Sequence, residues 1–534
     1  MFLRGKSYAV LGIAFFSMLI RFPFDLKQFH NVDEGVIGTL ANIILRGGLV
    51  YRDGWCHRGP LLDYTYAGIF TVFGNNNMVA VHLVTSFLIA LQVILLYRVA
   101  SLLFSKRIAL IASFLFGFFS TFGYLPTDTL GANVEIWMNF FILAGLNLFI
   151  LSLTTPAYLS LFLSTMVIGL APVTKQVAFS LYPFLILLIL FSHTKRTGES
   201  SIMRHLSEAL PCIVIATIGF FMPLAMIMLY YHLNNALSDF MSLFVYYNFF
   251  YIKSFYLPNS GITPTTMVFN AAKSVWVMFT VNFSPKRSGL LYAFSFMTFF
   301  IYLIGFKTRI TFLSEERRKN LFFIFLWFLF SIMPLLALGR GFGHYYIQLL
   351  PIVSILAAFS LETIFFEWQT SAKSYRLLLA IIFFVSLLFP MVTFFKNDPL
   401  AEDKNLNDVA EYIQNNSNRN DTIFVWGWNT ELYVMTNRQN ASRFIFCTFL
   451  TNETPGAYMT GNVSGKIGFR NALNLWLADL QDKKPKFIIE GHRGVLLYEI
   501  YHLSRYSEIF AFISSNYRVT TIIGNYRIFE KINQ

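Results

Sequence analysis

Two adjacent carboxylates, Asp33 and Glu34, follow closely on an apolar N-terminal segment, and the cation Arg58 comes later in the same stretch, within His57-Arg58-Gly59-Pro60-Leu61. Carboxylates beside a membrane span are costly to keep near lipid, so they are functional candidates by default. An ionised carboxylate can take a proton from a hydroxyl, and a guanidinium can grip two oxygens of a phosphate. These types suit transfer of a group onto a hydroxyl with an anionic leaving group. Each also has a plainer use. Asp33 suits a solvated loop or a helix cap, Glu34 the first turn of a helix, and Arg58 an anchor among lipid headgroups. Glu135, Lys175, Arg340 and His344 are further ionisable residues near the ends of apolar runs. Asp33, Glu34 and Glu135 offer hard oxygen ligands for a divalent cation, but three carboxylates in two loops do not by themselves specify one.

The elements that must hold these residues are membrane helices. Of the 534 residues 56% are hydrophobic, 13% are charged and 61 are Phe, an apolar content that a stack of spanning helices requires and a soluble globule does not. The charge is uneven. Residues 1–395 hold 26 Lys/Arg against 14 Asp/Glu, and residues 396–534 hold 15 against 14. The basic excess belongs to the membrane part, where it orients helices and attracts anionic lipid, so nucleic acid need not be invoked.

Apolar segments lie near 7–23, 79–97, 108–125, 136–153, 158–173, 177–192, 209–231, 288–306, 320–338, 347–366 and 377–395. That gives about eleven spans by the length needed to cross a bilayer, with 158–192 readable as a broken hairpin or as two short helices. Arg4 and Lys6, Lys106-Arg107, Lys195-Arg196, Lys307 to Lys319, and Lys373 with Arg376 recur at alternate ends. Those ends are expected to be cytoplasmic. The N-terminus is then inside on an uncleaved first helix, while the loops 24–78, 126–135, 174–176, 232–287 and 339–346 and the tail face outward, in the cell membrane. Lys286-Arg287 runs against that charge rule.

Within loop 24–78, Val36, Ile37, Leu40, Ile43 and Ile44 recur at helical spacing. They predict a short amphipathic helix over 35–46 lying in the interface, ended by Gly47-Gly48. Loop 232–287 is aromatic enough to sit there as well. Residues 396–534 read as a small soluble α/β domain, with strands at Thr422 to Trp426, at Lys486–Glu490 and in a hairpin Arg518–Ile523/Tyr526–Lys531 turning at Gly524-Asn525. The expected fold class is an all-α polytopic membrane protein with that domain appended after residue 395. Cys56, Cys212 and Cys447 have no metal-ligand spacing, and Cys56 with Cys447 reads as two thiols rather than a disulfide.

Three stretches carry a resemblance: Asp33-Glu34-Gly35 with Gly47 to Asp53 and Arg58 to Tyr64, then Ala132-Asn133-Val134-Glu135-Ile136-Trp137, then Gly343-His344-Tyr345-Tyr346 through Pro351. In order and placement these resemble the GT-C class of membrane glycosyltransferases, within it the protein O-mannosyltransferase and aminoarabinose-transferase superfamily. One departure is Arg58, where the superfamily often has Lys, so a planar fork replaces a point charge. The resemblance implies an inverting glycosyltransferase that moves a sugar from a polyprenyl-phosphate donor to a lipid, glycan or protein acceptor of the cell envelope. It implies Asp33 as the base. Glu34 and Glu135 are candidates to position the acceptor or a metal; Arg58 is the first candidate for the donor phosphate, and Lys175, Arg340 and His344, further cations on the same outer side, read equally as phosphate ligands or as interface anchors. Tyr345 and Tyr346 read better as aromatic-belt residues.

Two other classes make different demands on the sequence. A lipid-sugar flippase or transporter should carry ionisable or broken segments at the bilayer midplane, whereas the notable charges here cluster in outer loops. An envelope-polysaccharide polymerase or ligase should depend on a large outer loop rich in Arg and His, and loop 232–287 is mainly aromatic.

Overall fold

The computed structural model describes residues 7–154, 157–197, 202–249, 251, 264–284, 286–308, 314–338, 341–367, 373–451, 469, 471–491 and 501–532. The chain is mostly helical with a small C-terminal sheet, and it divides into two compact units: Met1–Leu26, His82–Ile227 and Val268–Pro399 form the first, and Lys27–Val81, Met228–Met267 and Leu400–Gln534 the second. Every apolar segment read from the sequence is a helix. Among the described residues, Tyr8–Asp25, Met78–Leu103, Val134–Leu153, Ser207–Leu233, Glu315–Ala337 and Gly343–Phe365 are long and apolar enough to cross a bilayer. Tyr158–Thr174 and Gln176–Ser192 are two of the shorter apolar helices, which settles the 158–192 stretch as two helices. The sequence does not announce the helix Pro264–Asn282, which lies inside the stretch read as loop 232–287.

In the first unit, buried polar side chains reach backbone carbonyls of neighbouring helices. Asn139 donates to the carbonyl of Ile347 at 3.0 Å, Ser295 to that of Val353 at 2.7 Å and Thr298 to that of Leu356 at 2.5 Å. Such bonds fix helix register where apolar surface alone gives no preference. Arg21 does the same with a full charge. It is completely buried near the end of the first helix and donates to Ser86 Oγ and to the carbonyls of Ser120, Thr129 and Leu130. Those carbonyls leave the Phe122 end of one helix and the short turn Pro126–Thr129, so Arg21 pins the segment that carries Asp128.

The second unit joins the first loop to the tail. Its five-stranded sheet has the order β2-β1-β3-β5-β4, with β1 (Thr422–Trp426) parallel to β2 (Gln439–Asn440) and β3 (Phe487–Glu490), and β5 (Tyr526–Lys531) antiparallel to β3 and β4 (Tyr517–Ile523). Trp426 and Trp476 are fully buried in its core. The helix Val32–Leu45 and the helix Leu61–Phe73 pack on each other, and the helix Glu431–Thr436, which leaves β1, packs on the first of these. The expected interfacial helix over 35–46 is therefore corrected in two ways. It begins at Val32 because Asn31 caps it, accepting from the Glu34 amide at 3.1 Å, and it is buried from Glu34 through Ile43 between protein neighbours.

Candidate active site

The helix start decides what the acidic pair can do. With Asn31 as cap, Asp33 is not needed as one, and both carboxylates fall in the first turn, where the helix dipole favours negative charge. They then diverge. Glu34 is fully buried and accepts from the His30 amide at 2.7 Å, closing the turn much as a capping box does. The Asp33 side chain remains 27% exposed and faces the Arg58 guanidinium at 3.3 Å.

Arg58 is delivered by a tightly built loop. Tyr51 takes a left-handed conformation, with φ of 73°, and its hydroxyl donates to the Arg58 carbonyl at 2.6 Å. Asn248 donates to the His57 carbonyl at 2.8 Å, and the His57 ring stacks on Tyr251 with centroids 5.0 Å apart. Of the aromatic stretch expected in the interface, Tyr247 and Tyr251 are buried, whereas Tyr246 and Phe249 are 55% and 70% exposed. Burial of the guanidinium disfavours its charge, but Asp33, then Cys56 and Asp63, more than offset this and hold Arg58 above its usual range. Burial also pushes the Cys56 thiol up to about 11. Cys56 and Cys447 are buried and Cys212 is half-buried.

Asp63 is the surprise of this cluster. It is 3% exposed, its Oδ2 has no hydrogen-bond partner among the described residues, and burial pushes its carboxyl up to about 8 against the pull of Arg58. Sequence reading passes over it because it stands in the first turn of an apolar helix, a usual place for a cap-assisting acid.

In the first unit the remaining candidates pair among themselves. Lys175 sits in extended conformation (φ −147°, ψ 124°) at the break between the helix Tyr158–Thr174 and the turn Gln176–Ser180. Its ammonium forms an ion pair with Glu135 and stands 4.0 Å from the centre of the Tyr345 ring. Glu135 is fully buried in the first turn of the helix Val134–Thr154. His344 pairs with Asp128, whose Oδ1 lies 3.2 Å from both the His344 amide and the ring Nδ1. A Cβ added at Gly343 would meet Asp128 Oδ2 at 2.3 Å, so a side chain there would displace the carboxylate that His344 holds. Asp128 is a site candidate that sequence reading misses, its partner being 216 residues away. Tyr346 is buried, so neither it nor Tyr345 is simply an interface anchor. Arg340 lies outside the described residues.

The structure thus brings Asp33 to Arg58, and Lys175 to Glu135, while Glu34 is committed to its own helix start. Glu135 and Glu34 are each engaged by a neighbouring donor. Among the described residues no group of three or more His, Cys, Asp or Glu is placed to hold a metal ion.

Residues 57–221 match the family model for dolichyl-phosphate-mannose-protein mannosyltransferase. No curated protein matches the sequence. Among solved structures, ArnT from Cupriavidus metallidurans bound to undecaprenyl phosphate is similar with a TM-score of 0.57 at 12% identity, over 99% of this chain and 99% of that one. The archaeal oligosaccharyltransferase AglB from Archaeoglobus fulgidus, in complex with an inhibitory peptide and a dolichol-phosphate, has a TM-score of 0.56 at 13% identity, over 99% of this chain and 75% of that one. The chain thus has the multi-pass membrane GT-C fold of these structures, and its residues 57–221 are similar to the dolichyl-phosphate-mannose-protein mannosyltransferase family.

Proposed function

We propose that this protein is an inverting glycosyltransferase that moves a sugar from a polyprenyl-phosphate donor to a hydroxyl of a lipid, glycan or protein acceptor on the outer face of the cell membrane. The observation that carries the reading is the Asp33–Arg58 pair: a partly exposed carboxylate in the first turn of a capped helix, 3.3 Å from a guanidinium held by its own loop. Asp33 takes the acceptor's hydroxyl proton as the oxygen forms its bond to the anomeric carbon. The bond from that carbon to the phosphate oxygen breaks, and the electron pair leaves with the polyprenyl phosphate. Because this leaving group departs as a stabilised anion, a base and a cation suffice without a separate general acid. Arg58 is the cation, its fork matched to two phosphate oxygens.

In the first unit, Lys175 is paired with the buried Glu135, as Arg58 is with the partly exposed Asp33, and it stays a candidate for the donor phosphate. His344 with Asp128 remains a candidate for donor contacts, and Arg340 stays a donor-phosphate candidate on sequence grounds. The N-terminus is cytoplasmic and residues 396–534 are extracytoplasmic in this scheme. The test is transfer by the purified protein in lipid nanodiscs from a panel of labelled polyprenyl-phosphate sugars to envelope-lipid, glycan and peptide acceptors. Transfer from at least one donor with inversion at the anomeric centre supports the reading. Hydrolysis-free translocation of the intact lipid-sugar without transfer contradicts it.

A further inference from the structure

We infer that the C-terminal domain is the frame that positions the acidic pair, acting through Thr430 and Glu431 on the first turn of the Val32–Leu45 helix. This rests on the reading of Asp33 as the base. The sheet brings the loop after β1 directly onto that turn. The Thr430 hydroxyl donates to the Val32 carbonyl at 3.3 Å, and the Thr39 hydroxyl donates to the Thr430 carbonyl at 3.2 Å. Asp33 is the residue next to Val32, so this bond acts one peptide away from the carboxylate.

The helix surface is cut to receive this loop. An added Cβ at Gly35 would lie 2.5 Å from the Glu431 amide nitrogen and 2.8 Å from Thr430 Oγ1, and one at Gly38 would lie 2.9 Å from Val434 Cγ2. The Glu431–Thr436 helix therefore runs along the face opened by the two glycines. At its end Asn437 Oδ1 accepts from Asn76 at 3.3 Å and from Arg46 at 3.4 Å. The loop that carries Arg58 is held by the same domain, since the Trp55 amide donates to the Arg443 carbonyl at 2.7 Å and its ring packs on Phe444 at 4.7 Å. Base and cation are thus both referenced to one scaffold, as a site held to productive geometry requires. In this inference Thr430 and Glu431 act through the backbone of the Val32–Leu45 helix and are positioning residues.

The experiment compares Thr430→Val, Thr430→Ser and Gly35→Ala with Asp33→Asn, in the full-length protein, by donor kinetics and by hydrogen exchange of the backbone over 31–35. Thr430→Val keeps the shape and deletes the bond, so kcat falls about 2- to 10-fold while donor KM stays within about twofold, a bound we set for a change that leaves the phosphate contacts in place. Exchange over 31–35 speeds up, and Thr430→Ser restores both readouts. Gly35→Ala lowers kcat further, and if it fails to fold, the Thr430 pair alone decides. Wild-type kcat and exchange in Thr430→Val overturn the inference. Faster exchange with unchanged kcat also overturns it, since the frame would then not set the acidic pair for turnover. Normal turnover by Asp33→Asn overturns instead the assignment of the base, while the exchange data still report whether the frame holds the helix.

Discussion

Arg58→Ala removes the cation that pairs with the partly exposed Asp33 and acts on the buried Asp63. The side chain is 15% exposed and its ion pair with Asp33 measures 3.3 Å. A donor phosphate bound there gains charge-assisted hydrogen bonds to the guanidinium, together about 1.5–3 kcal/mol. Their loss lowers kcat/KM for the donor by roughly 10- to 150-fold, at about 1.4 kcal/mol per decade. Arg58→Lys keeps the charge and loses the fork, so it falls between wild type and Arg58→Ala. The assay is initial rate against donor concentration at saturating acceptor, on protein shown to be monodisperse in nanodiscs. Unchanged donor kinetics in a folded Arg58→Ala protein would refute the reasoning and return Arg58 to the role of a structural partner of Asp33.

Further outcomes follow from the other pairs. Glu34→Gln leaves the acceptor at the His30 amide in weaker, uncharged form, so it lowers thermal stability by about 0.5–2 kcal/mol with little change in kcat; a loss of turnover as deep as that of Asp33→Asn would give Glu34 a part in the chemistry. Lys175→Met or Glu135→Gln alone leaves a buried charge unpaired and destabilises by about 3–5 kcal/mol, whereas the double variant recovers most of it, as a melting comparison of the three would show. Asp63 titrates near 3.8 in an unfolded chain and at about 8 in the folded one. Between those values the folded state holds a proton the unfolded state lacks, so stability falls as pH rises through the window. Asp63→Asn lacks this dependence, and its advantage in Tm over wild type grows from about pH 4 to about pH 8 and then levels off; a gap that stays constant with pH would place the Asp63 carboxyl in solvent.

The fold was legible where composition alone decides. Apolar runs became helices, and the strands at Thr422–Trp426, Phe487–Glu490 and Tyr517–Ile523 with Tyr526–Lys531 stand where short apolar runs and the Gly524-Asn525 turn place them. Asp33 and Arg58 could be singled out because charges are rare in so apolar a chain, and their pairing closes a span short enough in sequence to suspect. What could not be read depends on contacts distant along the chain. Asp128 acquires meaning only from His344, Lys175 pairs with Glu135 from another helix, and Arg21 looks like an ordinary interface cation until its four acceptors from distant segments surround it. Gly35 and Gly38 resemble weak points in a helix, and only the tail helix lying on them explains why they are glycines.

The central claim is that Asp33 is the general base, and product formation by purified Asp33→Asn protein tests it most directly. The amide matches the carboxylate in size but cannot accept the hydroxyl proton. With a polyprenyl-phosphate sugar that the wild type uses, and its acceptor, the account predicts turnover lowered by about 10²–10⁴-fold with donor binding retained. Near-normal turnover would contradict it and place the base elsewhere, with Glu135 the next carboxylate to replace.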